Sequence, residues 1–299
     1  MAVSSRPLRM LVDPPRRQPM PFGIFTVVDN RESDVAADPH LLQGVEYQPL
    51  CGGSGTTFDY CVTGGPGPAF TPTASRQMRA ATPFTVYSEI QCSPIGDTWD
   101  QAYEDVVDIL QTTEQYQVER ALWTGQVAGL DDQMYPHLAE NTAVVTPVVV
   151  GGLQVTLKTA ATAVTGAPVS ASVGIGLLEG ALGACYDGVG VIHVPEAAVP
   201  ALANLNMIYR DGKNLRTHNG NIVVAGAGYT GSSPAGVPPM AGTTWMYATG
   251  QFFMYRGAIK TFTRESSLNR TNNTLTAVAQ RTYVLGWDCC HFAVQINVG

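Results

Sequence analysis

The sequence predicts an α+β chain, a strand-rich body gathered around one long helix. Three observations carry that prediction. Residues 97–125, DTWDQAYEDVVDILQTTEQYQVERALWTG, repeat with a helical period. Most other apolar runs are short, rich in Val, Thr and aromatic residues, and bounded by Gly and Pro, as strands and turns are. Between residues 175 and 209 a helix, a buried-looking strand and a second helix follow one another.

The long helix presents Trp99, Ala102, Val106, Ile109, Thr113 and Tyr116 as one stripe, widened by Tyr103, Val107 and Leu110. Asp100, Glu104, Asp108, Gln111, Gln115 and Glu119 fall on the opposite face. Thr98 and Gln101 fit a capping box, and Gly125 suits a left-handed stop. At about 1.5 Å per residue the helix runs roughly 40 Å. It needs an equally long surface, either the body of the chain or neighbouring copies.

Before the helix, residues 1–43 carry Pro at 7, 14, 15, 19, 21 and 39 and read as an extended arm with one short strand at 22–28. Residues 44–93 alternate short β-like runs, VEYQPL, TTFDYCV and PFTVYSEIQC, with glycine clusters. With few apolar residues for a core of its own, this stretch reads as a hairpin or meander that projects outward.

After the helix, residues 130–164 are rich in Thr and Val and read as strands, with Pro147 placing one at a sheet edge. A helix at 175–186, a strand at 189–194 and a helix at 195–209 opened by Pro195 follow. Residues 221–225 form a strand, 226–242 a Gly/Pro loop, and 245–263 an apolar hairpin. The run 275–298 should close the main sheet.

Of the 299 residues 14% are charged, against about 25% in an ordinary soluble domain, so much of the surface is expected to face other protein. Net charge is −7 and only Lys158, Lys213 and Lys260 are lysines, a poor basis for sequence-specific DNA binding. The exception is local: residues 1–31 hold five arginines against Asp13 and Asp29, a net +3. No apolar secretory segment opens the sequence and no run approaches the ~20 residues of a membrane span, so a soluble protein of cytoplasmic origin is expected. The six cysteines lack metal-ligand spacing and are expected to be thiols, Cys51 and Cys61 being able to pair under oxidation.

No motif assembles into a catalytic or cofactor site. GAGYTG at 226–231 matches GxGxxG, but SSPAGVPP follows where a phosphate-binding helix would have to open. Cys289 and His291 share a strand face without a third group to orient the histidine. His40, His137, His193 and His218 have no ligand-spaced partner. Asp97, Asp100, Glu104, Asp105 and Asp108 read as a solvated or arginine-facing helix stripe. An enzyme is not expected, nor a cofactor or metal.

The order of parts, with PFTVYSEIQCSP before the helix, ERALWTG at its end, GVIHVP at 190–195, LRTHNGNIVVAGAGY at 215–229 and QRTYVLGWDCCHFAV at 280–294, resembles the major capsid proteins of tailed bacteriophages, in particular those that infect actinobacteria. That shell fold is shared with encapsulins and the herpesvirus capsid floor. The resemblance implies an N-arm (1–43), an extended β-loop (44–94), a peripheral domain with spine helix 98–124 (95–164), an axial domain (165–255) and strands returning to the peripheral domain (256–299).

It further implies a structural protein of the virion that assembles in the host bacterial cytoplasm into hexamers and pentamers of an icosahedral shell around double-stranded DNA. Partners would be other copies, a portal, a separate scaffold and cement proteins, with no membrane. Residues 44–94 contain no lysine, so isopeptide cross-linking through that loop is not expected. Arg76 and Arg79 on the loop, and Asp100, Glu104 and Asp108 on the helix, are the candidate inter-subunit contacts. Arg6, Arg9, Arg16 and Arg17 form the candidate DNA-proximal arm, bound by non-specific contact. An encapsulin-like compartment is the alternative of the same fold, and a small-molecule enzyme using Cys289 or the glycine loop is the alternative of another class.

Overall fold

The computed structural model describes residues 20–27, 29–32, 42–49, 78–92, 98–125, 136–139, 148–150, 153–156, 160–186, 188–262, 268–269, 271 and 274–299. In chain order α1 (Ile24–Val27), β1 (Asp29–Glu32), β2 (Val45–Tyr47), β3 (Met78–Ala81) and β4 (Phe84–Cys92) precede the long helix α2 (Trp99–Thr124). Then β5 (Val148–Val150), β6 (Leu153–Thr156), β7 (Thr162–Ala163) and β8 (Val169–Ser170) lead to α3 (Ala171–Tyr186). After β9 (Val191–Pro195) come α4 (Val199–Asn204), β10 (Ile208–Asp211), β11 (Asn214–Thr217), β12 (Ile222–Gly226) and β13 (Thr243–Thr249). The chain ends with β14 (Phe252–Arg256), β15 (Lys260–Thr261), β16 (Leu268–Asn269), β17 (Thr274–Trp287) and β18 (His291–Asn297).

Both ends of α2 are built as their residues dictate. Thr98 Oγ1 accepts from the Gln101 N–H at 3.3 Å and Gln101 Oε1 accepts from the Thr98 N–H at 3.2 Å, a capping box contributing about 1 kcal/mol. Gly125, at φ 68°, donates its N–H to the Ala121 carbonyl. The Leu122 and Trp123 carbonyls accept from the N–H groups of Leu138 and Ala139 at 2.8 and 2.7 Å, which satisfies two of the terminal acceptors.

Ala102, Val106, Leu110, Glu114, Val118 and Leu122 are all buried, at a strict spacing of four. Each such step advances about 40° around the axis, so the contact line winds through about 200° along the helix. It starts over β4 and β17 and ends against residues 23–24 and the 226–232 loop. That winding corrects the expected stripe at both edges. Tyr103, Ile109 and Tyr116 are exposed, whereas Gln115 and Glu119, read as solvated, are buried.

Among the described residues a six-stranded sheet is organised on β17, with β4 along one side and β14, β15 and β16 in succession along the other; β1 adds parallel to β14. Phe84, Val86 and Ser88 alternate inward along β4, and Ser88 Oγ donates to the Val106 carbonyl at 2.7 Å. Residues 84–92, expected within a projecting hairpin, therefore belong to the body. β2 pairs antiparallel with β3, in a four-stranded sheet ordered β2-β3-β6-β5 among the described residues.

An eight-stranded sheet runs β10-β11-β12-β9-β13-β18-β7, with β8 also on β18. One face packs Ile192, Val194, Val223, Met246, Val294 and Ile296 under α3 and α4. The opposite face contributes Val191, Val224, Tyr247 and Ala293 to the core beneath α2. A strand buried on both faces reads as a continuous apolar run, and VIHVP in β9 is that run.

Several local expectations are corrected. Residues 243–263 are not a hairpin: β13 pairs with β9 and β18, β14 pairs with β17 and β1, and the chain crosses between the sheets at Gly250 and Gln251. Likewise 275–298 does not return as one run to the sheet under α2. It breaks after Trp287, and β18 pairs with β13 at seven positions in the eight-stranded sheet. Residues 24–27 are helical instead of extended, with Thr26 donating back to the Gly23 carbonyl.

The predicted helix at 195–209 is shorter. Pro195 ends β9, and Asn206 in the left-handed region (φ 54°) stops the helical turn ahead of β10. Cys185 and Cys290 are joined in a disulfide with their Cα atoms 6.1 Å apart, and Cys289 is disulfide-bonded as well, against the expectation of thiols. Cys51, Cys61 and Pro147 lie outside the described residues.

Candidate assembly surfaces and the junction behind them

The outward side of α2 is acidic and partly apolar. Asp100, Glu104, Asp105 and Asp108 are exposed, and Tyr103, Ile109 and Tyr116 stand between and beyond them at 37, 42 and 44% exposure. None of the four carboxylates forms an ion pair with a cation among the described residues. Arg79 is half-buried on β3 and donates from Nη1 to the Asp288 carbonyl at 2.9 Å, beside Tyr47, whose hydroxyl burial pushes up to about 12. Arg76, Arg6, Arg9, Arg16 and Arg17 lie outside the described residues.

Behind that face the helix is fixed by charge. Glu114, buried on the winding stripe, takes Arg281 Nη1 on both carboxylate oxygens at 2.9 Å, Arg256 Nη2, and the Tyr283 hydroxyl at 2.6 Å. Arg256 also lies over the Phe25 ring. One carboxylate thus binds α2 to β14 and β17 and to the segment around α1. Two guanidinium groups and a hydroxyl around a carboxylate make a fully partnered buried charge, whose removal leaves uncompensated cations. Sequence reading missed Glu114, although its place in the four-residue series Ala102 to Leu122 was the available signal.

Glu119 makes a second junction without any cation. Its carboxylate accepts the Ile24 N–H at 3.1 Å, the Gly228 N–H at 3.0 Å and Gln115 Nε2 at 3.1 Å. Burial outweighs these bonds and raises its carboxyl above the usual range. Here the GAGYTG loop shows its physical purpose. A Cβ at Gly228 would lie 2.2 Å from the Tyr116 carbonyl oxygen, so glycine is required for the loop to reach the helix backbone.

Beside it, Trp123 packs its ring on Tyr229 and Tyr247, both at 4.8 Å, and donates to Ser232 Oγ at 3.0 Å. His193 Nδ1 and Nε2 lie 3.0 Å from the Tyr229 hydroxyl and 3.1 Å from Thr249 Oγ1. Burial, with a smaller effect from His291, pushes His193 down to about 3.

At the far side of the eight-stranded sheet, Glu179 of α3 accepts from Thr217 Oγ1 and from the side-chain amides of Asn219 and Asn221. That is why THNGN reads as a fixed turn between β11 and β12, with Gly220 at φ 89°. Among the described residues no group of three or more His, Cys, Asp or Glu stands close enough to hold a metal ion, and no helix is long and apolar enough to cross a membrane. Cys289, bonded in a disulfide, offers no free thiol beside His291.

No protein-family model and no curated protein matches the sequence. Solved structures match along nearly the whole chain. A structure from Microbacterium phage Oxtober96 is 9% identical and superposes with a TM-score of 0.51, covering 99% of this chain and 96% of that one. One from Gordonia phage Cozz is 12% identical, with a TM-score of 0.52 over 99% and 92%. The capsid of the native GTA particle is 12% identical, with a TM-score of 0.52 over 96% of each chain. At such identities the likeness establishes the fold.

Proposed function

From the shell fold that it shares with those particles, we propose that this chain is a major capsid protein whose copies close into hexamers and pentamers of an icosahedral shell around double-stranded DNA. The observation that carries the reading is the match to the GTA capsid over 96% of both chains. The exposed Tyr103, Ile109 and Tyr116 of α2 and the scarcity of charge in the whole sequence support it, since subunit interfaces carry aromatic residues and few charges at their centres.

In this reading the six-stranded sheet with α2 is the peripheral body, and the eight-stranded sheet with α3 and α4 is the axial one. Glu114 keeps the α2 body rigid, so that neighbours meet as preformed surfaces. Asp100, Glu104 and Asp108 face a neighbouring copy, and Arg6, Arg9, Arg16 and Arg17 serve non-specific contact with DNA. A portal, a scaffold and cement proteins are the further partners. Assembly takes place in the bacterial cytoplasm and the product is the virion.

Electron microscopy of particles isolated from the cells that make the protein, before and after nuclease treatment, tests this. Closed shells with nuclease-protected DNA are expected. A chain that stays monomeric at high concentration overturns the reading, and closed shells filled with protein and free of DNA favour an encapsulin-like compartment.

A further inference from the structure

The chain passes between the two large sheets twice at one place, outward at Gly250 and Gln251 and back at Asp288–Cys290. The two crossings are hydrogen-bonded to each other: Gly250 N–H to the Cys289 carbonyl at 2.6 Å, and Asp288 N–H to the Gln251 carbonyl at 2.9 Å. A Cβ at Gly250 would lie 2.6 Å from that Cys289 oxygen. Cys290 sits at φ 63°, in the left-handed region that a non-glycine residue adopts at a cost. Its sulfur is bonded to Cys185 in the last turn of α3, 105 residues away in sequence.

That last turn has little else to hold it. The buried residues of α3 end at Leu182, and Gly183, Ala184 and Cys185 are exposed. Besides the disulfide, the half-buried Tyr186 meets the crossing through hydrogen bonds with Gln251 and Asp288. The helix contains Gly174, Gly176, Gly180 and Gly183, and each weakens it relative to alanine. Packing requires glycine at 174, where a Cβ would meet Ile296 Cγ2 at 2.4 Å, but nothing lies within 4 Å of the other three positions. The C-terminal part of α3 is thus a poorly propagating helix whose end is pinned covalently.

We propose that Cys185 and Cys290 form a redox-operated clamp. As thiols they leave the last turn of α3 free to fray and the sheet crossing compliant; as a disulfide they fix both. The exposed Cys185, as thiolate, attacks one sulfur of a low-molecular-weight disulfide such as oxidised glutathione and releases one thiol. The Cys290 thiolate then attacks Cys185 Sγ in the mixed disulfide, forms the Cys185–Cys290 bond and releases the second thiol. Two protein thiols are oxidised and one small disulfide is reduced to two thiols. The clamp is open in a reducing cytoplasm and closes in an oxidising exterior.

The test is hydrogen exchange read by mass spectrometry on the full chain, after equilibration with oxidised glutathione or with a phosphine reductant, together with peptide mapping of the cross-link. Expected are a disulfide-linked peptide pair containing Cys185 and Cys290 in the oxidised sample, and exchange at residues 183–186 at least tenfold faster after reduction, with residues 174–178 changed less than twofold. Cys185→Ser should match the reduced wild type at 183–186 in both buffers, since it removes this bond and leaves that of Cys289. Equal protection at 183–186 in all samples, or no Cys185–Cys290 linkage under oxidised glutathione, overturns the clamp. These readouts do not depend on whether the chain forms shells, so the clamp and the shell reading fail separately.

Discussion

Gly228 donates its N–H to Glu119 Oε2 at 3.0 Å, and a Cβ at that position would stand 2.2 Å from the Tyr116 carbonyl oxygen. The loop from the eight-stranded sheet therefore lies directly on the backbone of α2. Gly228→Ala is expected to lower unfolding free energy by about 1–3 kcal/mol, as overpacking does. Urea denaturation of the subunit measures it. An alanine variant as stable as the wild type would mean that the loop does not dock on the helix.

His193 is expected to stay neutral down to acidic pH. Burial, with His291 nearby, holds it at about 3, whereas the unfolded chain takes up its proton near 6.5. The fold is thus favoured above about pH 6.5, and that contribution is lost as pH falls toward 3, by about 1.4 kcal/mol per unit. Imidazole resonances of His193 that move between pH 8 and 5 would contradict this. His193→Gln should flatten the slope of stability against pH between about 6.5 and about 3.

Glu114→Gln removes the charge shared by Arg256 and Arg281 and leaves both guanidinium groups facing a neutral amide. A loss of about 3–5 kcal/mol is expected, the usual result of breaking a buried ion cluster. Glu104→Gln on the exposed side of the same helix should change stability by less than about 0.5 kcal/mol. Denaturation curves for the two variants side by side decide it, and similar losses in both would deny Glu114 its special position.

The exposed carboxylates of α2 offer the cleanest separation of folding from association. Reversing Asp100, Glu104 and Asp108 to lysine should leave the melting temperature of the isolated subunit within a few degrees, because none is buried or paired with a described cation. Closed particles should be lost. Normal shells from the triple variant would show that this face meets no neighbour. Arg79 is unsuited to the same experiment, since its bond to the Asp288 carbonyl makes a reversal there disturb the subunit itself.

How much of this was legible beforehand differs by residue. The span of α2, its capping box and its glycine stop were readable because each depends on a few neighbouring residues. The same holds for the two-sided burial of VIHVP and for the refusal of GAGYTG to open a phosphate-binding helix. Its real use, close approach to Tyr116 and Glu119, was not readable. It depends on a helix 109 residues away from Gly228.

Local pattern alone thus determined most of the strands and where the long helix begins and ends, because periodicity and capping act within a turn or two of chain. Tertiary structure alone decided that β13 and β14 belong to different sheets, that β4 joins the body through β17, that Glu114 and Glu119 turn inward, and that Cys185 meets Cys290. Those outcomes are set by pairing and burial between segments from about thirty to more than two hundred residues apart, where side-chain partners and dielectric surroundings exist only after the chain has closed on itself.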